Sequence, residues 1–175
     1  AAFEAAEDHD LWLRMSEIAD TANLPENLTL YRWHGTNVSR RKEIRQAFSV
    51  RLAQRSAAAR RDQAVDPADD LAFAPDWRAA AAERAFYADD ARLYRVLDFA
   101  QADAPRDAAD PDLAPLFERR AELTHKERKL AQRAVLHLLR RSPRNLRDAM
   151  RLMALIVSLH PGRALLLAWS ALSGR

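Results

Sequence analysis

The sequence predicts a mainly α-helical chain, with a short helix-strand-strand unit at its start and a multi-helix extension after it. Three observations carry this. Only three of 175 residues are glycine, too few for the many tight turns of an all-β fold. Apolar residues recur at helical spacing in most segments. Capping signals and prolines divide those segments at short intervals.

The elements follow in order. From Asp8, the apolar positions Leu11, Met15 and Ile18, with Trp12 and Ala19 beside them, predict a helix to about Ala19. Glu7, Asp8 and Asp10 crowd its first turn, where the helix dipole favours negative charge. Ala22–Leu24 and Leu28–Trp33 read as two short strands around Pro25-Glu26-Asn27, which cannot continue a helix. His34–Asn37 is a polar loop, and Ser39 an N-cap. Residues 40–61 form a basic helix with Ile44, Phe48 and Leu52 along one face and eight cationic residues, from Arg40 to Arg61, on the other. Val65–Pro75 is an acidic linker. Asp76 caps a helix from Trp77 to about Ala88, and another runs from about Asp90 to Ala102. Ala104–Asp112 is a second linker.

Leu113–Leu123 is a short helix. Thr124-His125-Lys126-Glu127 is a capping box that opens a helix to about Arg141. Ser142-Pro143 supplies an N-cap and a first-turn proline for a helix to about Leu159. His160-Pro161-Gly162 breaks it, and a last apolar helix covers Arg163–Ser173. Three or four antiparallel helices are therefore expected between Leu113 and Leu172. The expected division is residues 1–39, a bridging helix at 40–64, linkers and a helix pair at 65–112, and a bundle at 113–175.

Composition narrows the function classes. Hydrophobic residues make up 49% and charged residues 30%, which suits a folded chain rather than a disordered one. Much of the apolar share is alanine, so the core should be thin and helical. The sequence has no cysteine. Disulfides, thiolate catalysis and Cys-ligated zinc are excluded, and a cytoplasmic location fits. A net charge of +3 gives no pointer to nucleic acid. The chain opens without Met or a signal-peptide pattern and reads as starting in mid-domain, so a fragment of a longer protein is expected.

Chemistry concentrates in Glu7–Ser39. The stretch contains Glu7-Asp8-His9-Asp10-Leu11-Trp12-Leu13-Arg14, then Asn23-Leu24-Pro25, then Tyr31-Arg32-Trp33-His34 and Asn37-Val38-Ser39. It resembles the C-terminal end of the catalytic domain of inverting family 2 glycosyltransferases, which have the GT-A fold. In that family an acidic pair opens a helix of this type, an Asn-Leu-Pro turn follows, and a strand ends in Tyr-Arg-x-His. The match covers about the first fifth of the chain. It implies that residues 1–39 are the remnant of a GT-A α/β domain on the acceptor side. The implied partners are a missing N-terminal nucleotide-binding half, a nucleotide-sugar, and a glycan or lipid-linked acceptor. A divalent metal, Mg or Mn, would belong to the whole protein rather than to this fragment.

The resemblance also assigns roles. Asp8 takes the place of the family's base, which removes a proton from the acceptor hydroxyl. Glu7, Trp12, Arg32 and His34 would contact substrate. Arg32 and His34 alternate along a strand end, so they share a face and could meet a diphosphate or a metal bound to it, with His34 as the one ligand candidate. Blander readings stand beside these: first-turn acids, a surface Arg, a loop-capping His, and core packing for Trp12 and Trp33. Asp8-His9-Asp10 also fits an Asp-x-Asp metal motif, but that motif ends a strand in the half absent here. Asp66, Asp69 and Asp70 lie in a linker where solvation explains them. His125, His137 and His160 read as structural.

The basic helix has two readings. A cationic face opposite an apolar stripe can lie on an anionic membrane, which would put the protein at the inner face of the membrane. Alternatively, the arginines pair with the acids of residues 62–112, the reading favoured here. The apolar runs Leu152–Leu159 and Ala164–Leu172 are too short to span a bilayer and read as bundle core. Transfer of a sugar to an acceptor hydroxyl is the expected function of the parent protein, with the fragment alone inactive. A non-enzymatic helical interaction module and a peripheral membrane-binding module are the alternatives.

Overall fold

Six α-helices and no strand form among the residues described by a computed structural model of the chain, which are 2–30, 42–62, 64–99, 111–140 and 146–159. The mainly α expectation therefore holds. The chain divides into two compact units, Ala1–Asp90 and Ala91–Arg175.

In the first unit, α1 (Glu7–Ile18) packs on α2 (Glu43–Arg61). Helix α2 is the spine. Ile44, Phe48 and Leu52 lie on one side at helical spacing and are all buried, with Ala47, Ala53 and Ala57 beside them. Burying a side chain the size of Phe48 or Leu52 contributes roughly 1.5–3 kcal/mol. Phe48 meets the Trp77 ring at 5.1 Å and the Tyr87 ring at 5.9 Å. The Arg45 guanidinium lies 4.2 Å from the centre of the Trp77 ring and donates to the Pro75 carbonyl at 2.5 Å. The alanines let neighbouring backbone approach α2 closely, and the aromatic cluster supplies the volume they lack.

Helix α3 (Ala88–Phe99) contains the division between the units. The second unit continues with α4 (Ala114–Glu118), α5 (His125–Arg140) and α6 (Leu146–Leu159), and α5 packs on α6. Its core draws Leu93, Tyr94 and Leu97 from α3, and Leu130, Ala134 and Val135 from α5. Leu152, Leu155, Ile156 and Leu159 of α6 are also buried. The capping box forms as read. The Glu127 carboxylate accepts from the Thr124 backbone N–H at 2.8 Å, and the Thr124 hydroxyl accepts from the Glu127 N–H at 3.3 Å. Two backbone donors that the first turn would leave unpaired are satisfied in this way.

Several expectations change. Ala22–Leu24 and Leu28–Leu30 form no strand; Tyr31–Trp33 lie outside the described residues. A strand exists only by hydrogen-bonding to a neighbour, and no other described segment is a strand. The α-helix expected from Trp77 to Ala88 is a 3-10 helix at Ala80–Arg84. Here the Asp76 carboxylate accepts from the Arg78 N–H at 3.0 Å, closing a tight side-chain turn in place of a helix start. Helix α4 is shorter than Leu113–Leu123, and its chain leaves in turns. Ser39, the loop at His34–Asn37, Ser142-Pro143 and the helix at Arg163–Ser173 lie outside the described residues.

Candidate functional site

Helix α1 turns its polar side inward. Arg14 pairs with Asp10 on its own helix at 2.9 Å and reaches Asp66 at 3.4 Å. Glu17 binds Arg60 of α2 at 2.7 Å. Its apolar residues Leu11, Trp12, Met15 and Ile18 face outward, and no residue of α1 is buried. This reverses the usual amphipathic arrangement. Ion pairs hold the helix, and its apolar face is left open.

The entry turn aims the acids. Ala5 adopts a left-handed backbone, φ 63°, which costs a non-glycine residue about 1–2 kcal/mol. Its N–H donates to the Glu7 carboxylate at 3.1 Å, and the Ala6 N–H donates to the Phe3 carbonyl at 3.0 Å. Phe3 and Ala6 are buried. Glu4 is anchored by Lys42 and, at 3.7 Å, by Arg45. Lys42 holds the Glu4 carboxyl below its ordinary range, against the upward push of desolvation.

Each acid of the first turn therefore has a different setting. Glu7 accepts from Ala5, and Asp10 is tied to Arg14. Asp8 is exposed, and its carboxylate accepts from the His9 N–H at 2.8 Å. Among the described residues it has no cationic partner. Asp8, Trp12 and Met15 lie on successive turns of one helix stripe, so Asp8 stands about 6 Å along the axis from Trp12. Trp12 and Met15, with Thr21, Ala22 and Asn23, line an open groove of about 340 Å³. Trp12 is 60% exposed, which removes it from the core. Arg32, Trp33 and His34 lie outside the described residues.

Asp66 corrects the linker reading. It is 6% exposed and accepts from the Ser56 hydroxyl at 2.5 Å, the Ala68 N–H at 2.9 Å and Arg60 at 2.6 Å. Desolvation pushes its carboxyl up, but the hydrogen bonds from Ser56, Ala68 and Arg60 outweigh this and hold it below the ordinary range. The Asp66-Pro67 pair after the Arg60-Arg61 helix end was the available signal for such a turn. Asp90 is the second buried acid, 1% exposed, and pairs with Arg55 and, at 3.8 Å, with Arg51. The cationic face of α2 is thus engaged by protein carboxylates at Glu4, Glu17, Asp66 and Asp90.

No group of three acids or histidines among the described residues is arranged to hold a metal. His137 packs edge-on against Phe99 at 5.9 Å. The chain matches no protein-family model, and no curated protein or solved structure is significantly similar to it.

Proposed function

We propose that this chain is the acceptor-side end of the GT-A domain of an inverting family 2 glycosyltransferase, followed by a helical extension, and that Asp8 is its general base. The observation that supports this reading is the exposed Asp8 carboxylate, free of a described cationic partner, on the same stripe of α1 as the Trp12 groove. A sugar acceptor needs an aromatic platform for its C–H face and a carboxylate for its hydroxyl. Here the two are one helical turn apart.

In this mechanism Asp8 accepts the proton of the acceptor hydroxyl as that oxygen bonds to the anomeric carbon of the donor sugar. The bond from that carbon to the nucleotide diphosphate breaks on the opposite face, so configuration inverts. The donor nucleotide-sugar is held by a separate N-terminal half. Glu7 lies beside the acceptor, and Arg32 and His34 meet the diphosphate. A divalent Mg or Mn, bound with the donor, would neutralise the diphosphate charge. The exposed Leu11, Ile18, Leu24, Leu28 and Leu30 are where that half seats. The same surface supports a second reading, a non-enzymatic interaction module. In the proposed reading the protein is cytoplasmic.

The test is Asp8→Asn in the complete protein, assayed for sugar transfer. A fall in kcat of roughly 10²-fold or more is expected, with the helical content unchanged. Near wild-type turnover would remove Asp8 from the role of base.

A further inference from the structure

The outward face of α6 is apolar, although its inward face already fills the core. Leu152, Leu155, Ile156 and Leu159 are buried. On the opposite side Met150 is 65% exposed, Met153 48% and Val157 49%, and Ala154 between them is exposed as well. A helix at a water-facing surface normally puts charged and polar residues there, and a helix apolar all round is normally buried. Helix α6 has Arg151 and Ser158 among its exposed residues, but the stripe between its flanks is Met150, Met153, Ala154 and Val157.

The sequence that contains this helix is one-sided in charge. Between Arg140 and Arg175 the sequence carries seven arginines and a single acid, Asp148. Arg151 lies within α6, is exposed, and has no anionic partner among the described residues. Arg45, Arg51, Arg55 and Arg60 of α2, by contrast, face carboxylates of their own unit. A protein partner with a merely apolar patch would leave Arg151 without a role. A surface that is anionic outside and apolar just beneath answers both features.

We infer that α6 is an interfacial docking helix that lies flat on an anionic lipid bilayer, with Met150, Met153 and Val157 entering the acyl boundary and Arg151 meeting lipid phosphates. The fourteen described residues of α6 span about 21 Å, against a hydrocarbon core of roughly 30 Å. No helix among the described residues is long and apolar enough to cross a membrane. Attachment in the plane of the interface is the geometry that fits this length. Methionines suit the task, because their flexible side chains adapt to an irregular apolar phase. The proposal stands apart from the sugar-transfer reading and requires no glycan.

The experiment is co-sedimentation of the full chain with phosphatidylcholine vesicles, with and without phosphatidylglycerol. Binding should need the anionic lipid and weaken as salt screens it. Met153→Glu and Arg151→Glu should each lower the apparent affinity on the order of tenfold. Arg61→Glu, which reverses an exposed cation on α2, should leave most of it. Circular dichroism of each variant checks that helicity is retained. Equal binding to both vesicle types, or none, would overturn the proposal. So would a loss of binding on Arg61→Glu and not on Arg151→Glu. A dimer in sedimentation analysis that Met153→Glu dissolves, without vesicle binding, would give the stripe to a second copy instead.

Discussion

Arg60 binds Asp66 at 2.6 Å across the turn that ends α2, and Arg60 also grips Glu17 of α1 at 2.7 Å. One guanidinium therefore joins α1, α2 and the following linker. Asp66 is almost fully buried, so removing its charge leaves Arg60 and the Ser56 hydroxyl short of a partner. Asp66→Asn should destabilise the first unit by about 2–4 kcal/mol, read by thermal denaturation. A change within a few tenths would mean that solvent replaces the bond. The pH dependence has a definite sign. The folded carboxyl sits below its ordinary value of 3.8, so its stabilisation is complete above that value and is lost as pH falls through the lowered one. Glu4 and Glu17, also lowered, act in the same direction from their ordinary 4.5. Acid should therefore unfold the first unit below about pH 4.5, with a shallower acid limb in the Asn variant.

Trp12 supplies the apolar wall of the groove without being part of the core. Trp12→Ala should therefore leave stability within about 0.5 kcal/mol of wild type, as for surface positions. In the proposed function the same change should raise KM for the acceptor at least several-fold and leave KM for the nucleotide-sugar unchanged. Steady-state kinetics on the complete protein separates the two. A stability loss on the scale of a core truncation would show that Trp12 is packed in solution.

Residues 21–30 are all exposed and form no regular structure. Their backbone N–H groups have little to shield them, so hydrogen exchange in the isolated chain should be close to unprotected there. The amides of Ala131–Leu138 in α5 should exchange far more slowly. Equal protection of Ala22–Leu30 in a monomer would show that the segment pairs within the chain, and would weaken the reading of it as a surface awaiting a partner.

Tyr94 donates to Glu127 at 2.7 Å in the core of the second unit. Glu127 spends its other oxygen on Thr124. Tyr94→Phe removes one donor from a buried carboxylate and should cost about 1–3 kcal/mol. Thr124→Ala removes the cap and should cost about 1 kcal/mol. Because both act on one carboxylate, the double variant should deviate from additivity. Exchange rates of the α5 amides measure all three. Simple additivity would mean that cap and tyrosine act separately.

Much of the helical plan was legible from local pattern. The Ile44–Phe48–Leu52 stripe and the Thr124–Glu127 capping box follow from spacing and side-chain chemistry that neighbouring residues impose. The stretch Ala22–Leu30 was misread because alternating apolar residues signal a strand whether or not a neighbour exists to pair with it. The candidate site was legible in part. A carboxylate at the start of α1 could be read from Glu7-Asp8-His9-Asp10, but the exposure of Asp8 one turn from the Trp12 groove could not.

The sequence by itself determined the apolar stripe of α2, the capped start of α5 at Thr124–Glu127 and the acids at the N-terminus of α1, because capping and periodicity act within a few residues. Tertiary structure decided which side of α1 faces inward, that Asp66 and Asp90 are buried under arginines, and that α6 keeps an apolar face outward. The inward side of α1 and the burial of Asp90 depend on partners tens of residues away, as Glu17 and Arg60 are, or Arg55 and Asp90. No local pattern encodes which distant charge will be close enough to offset the cost of burial.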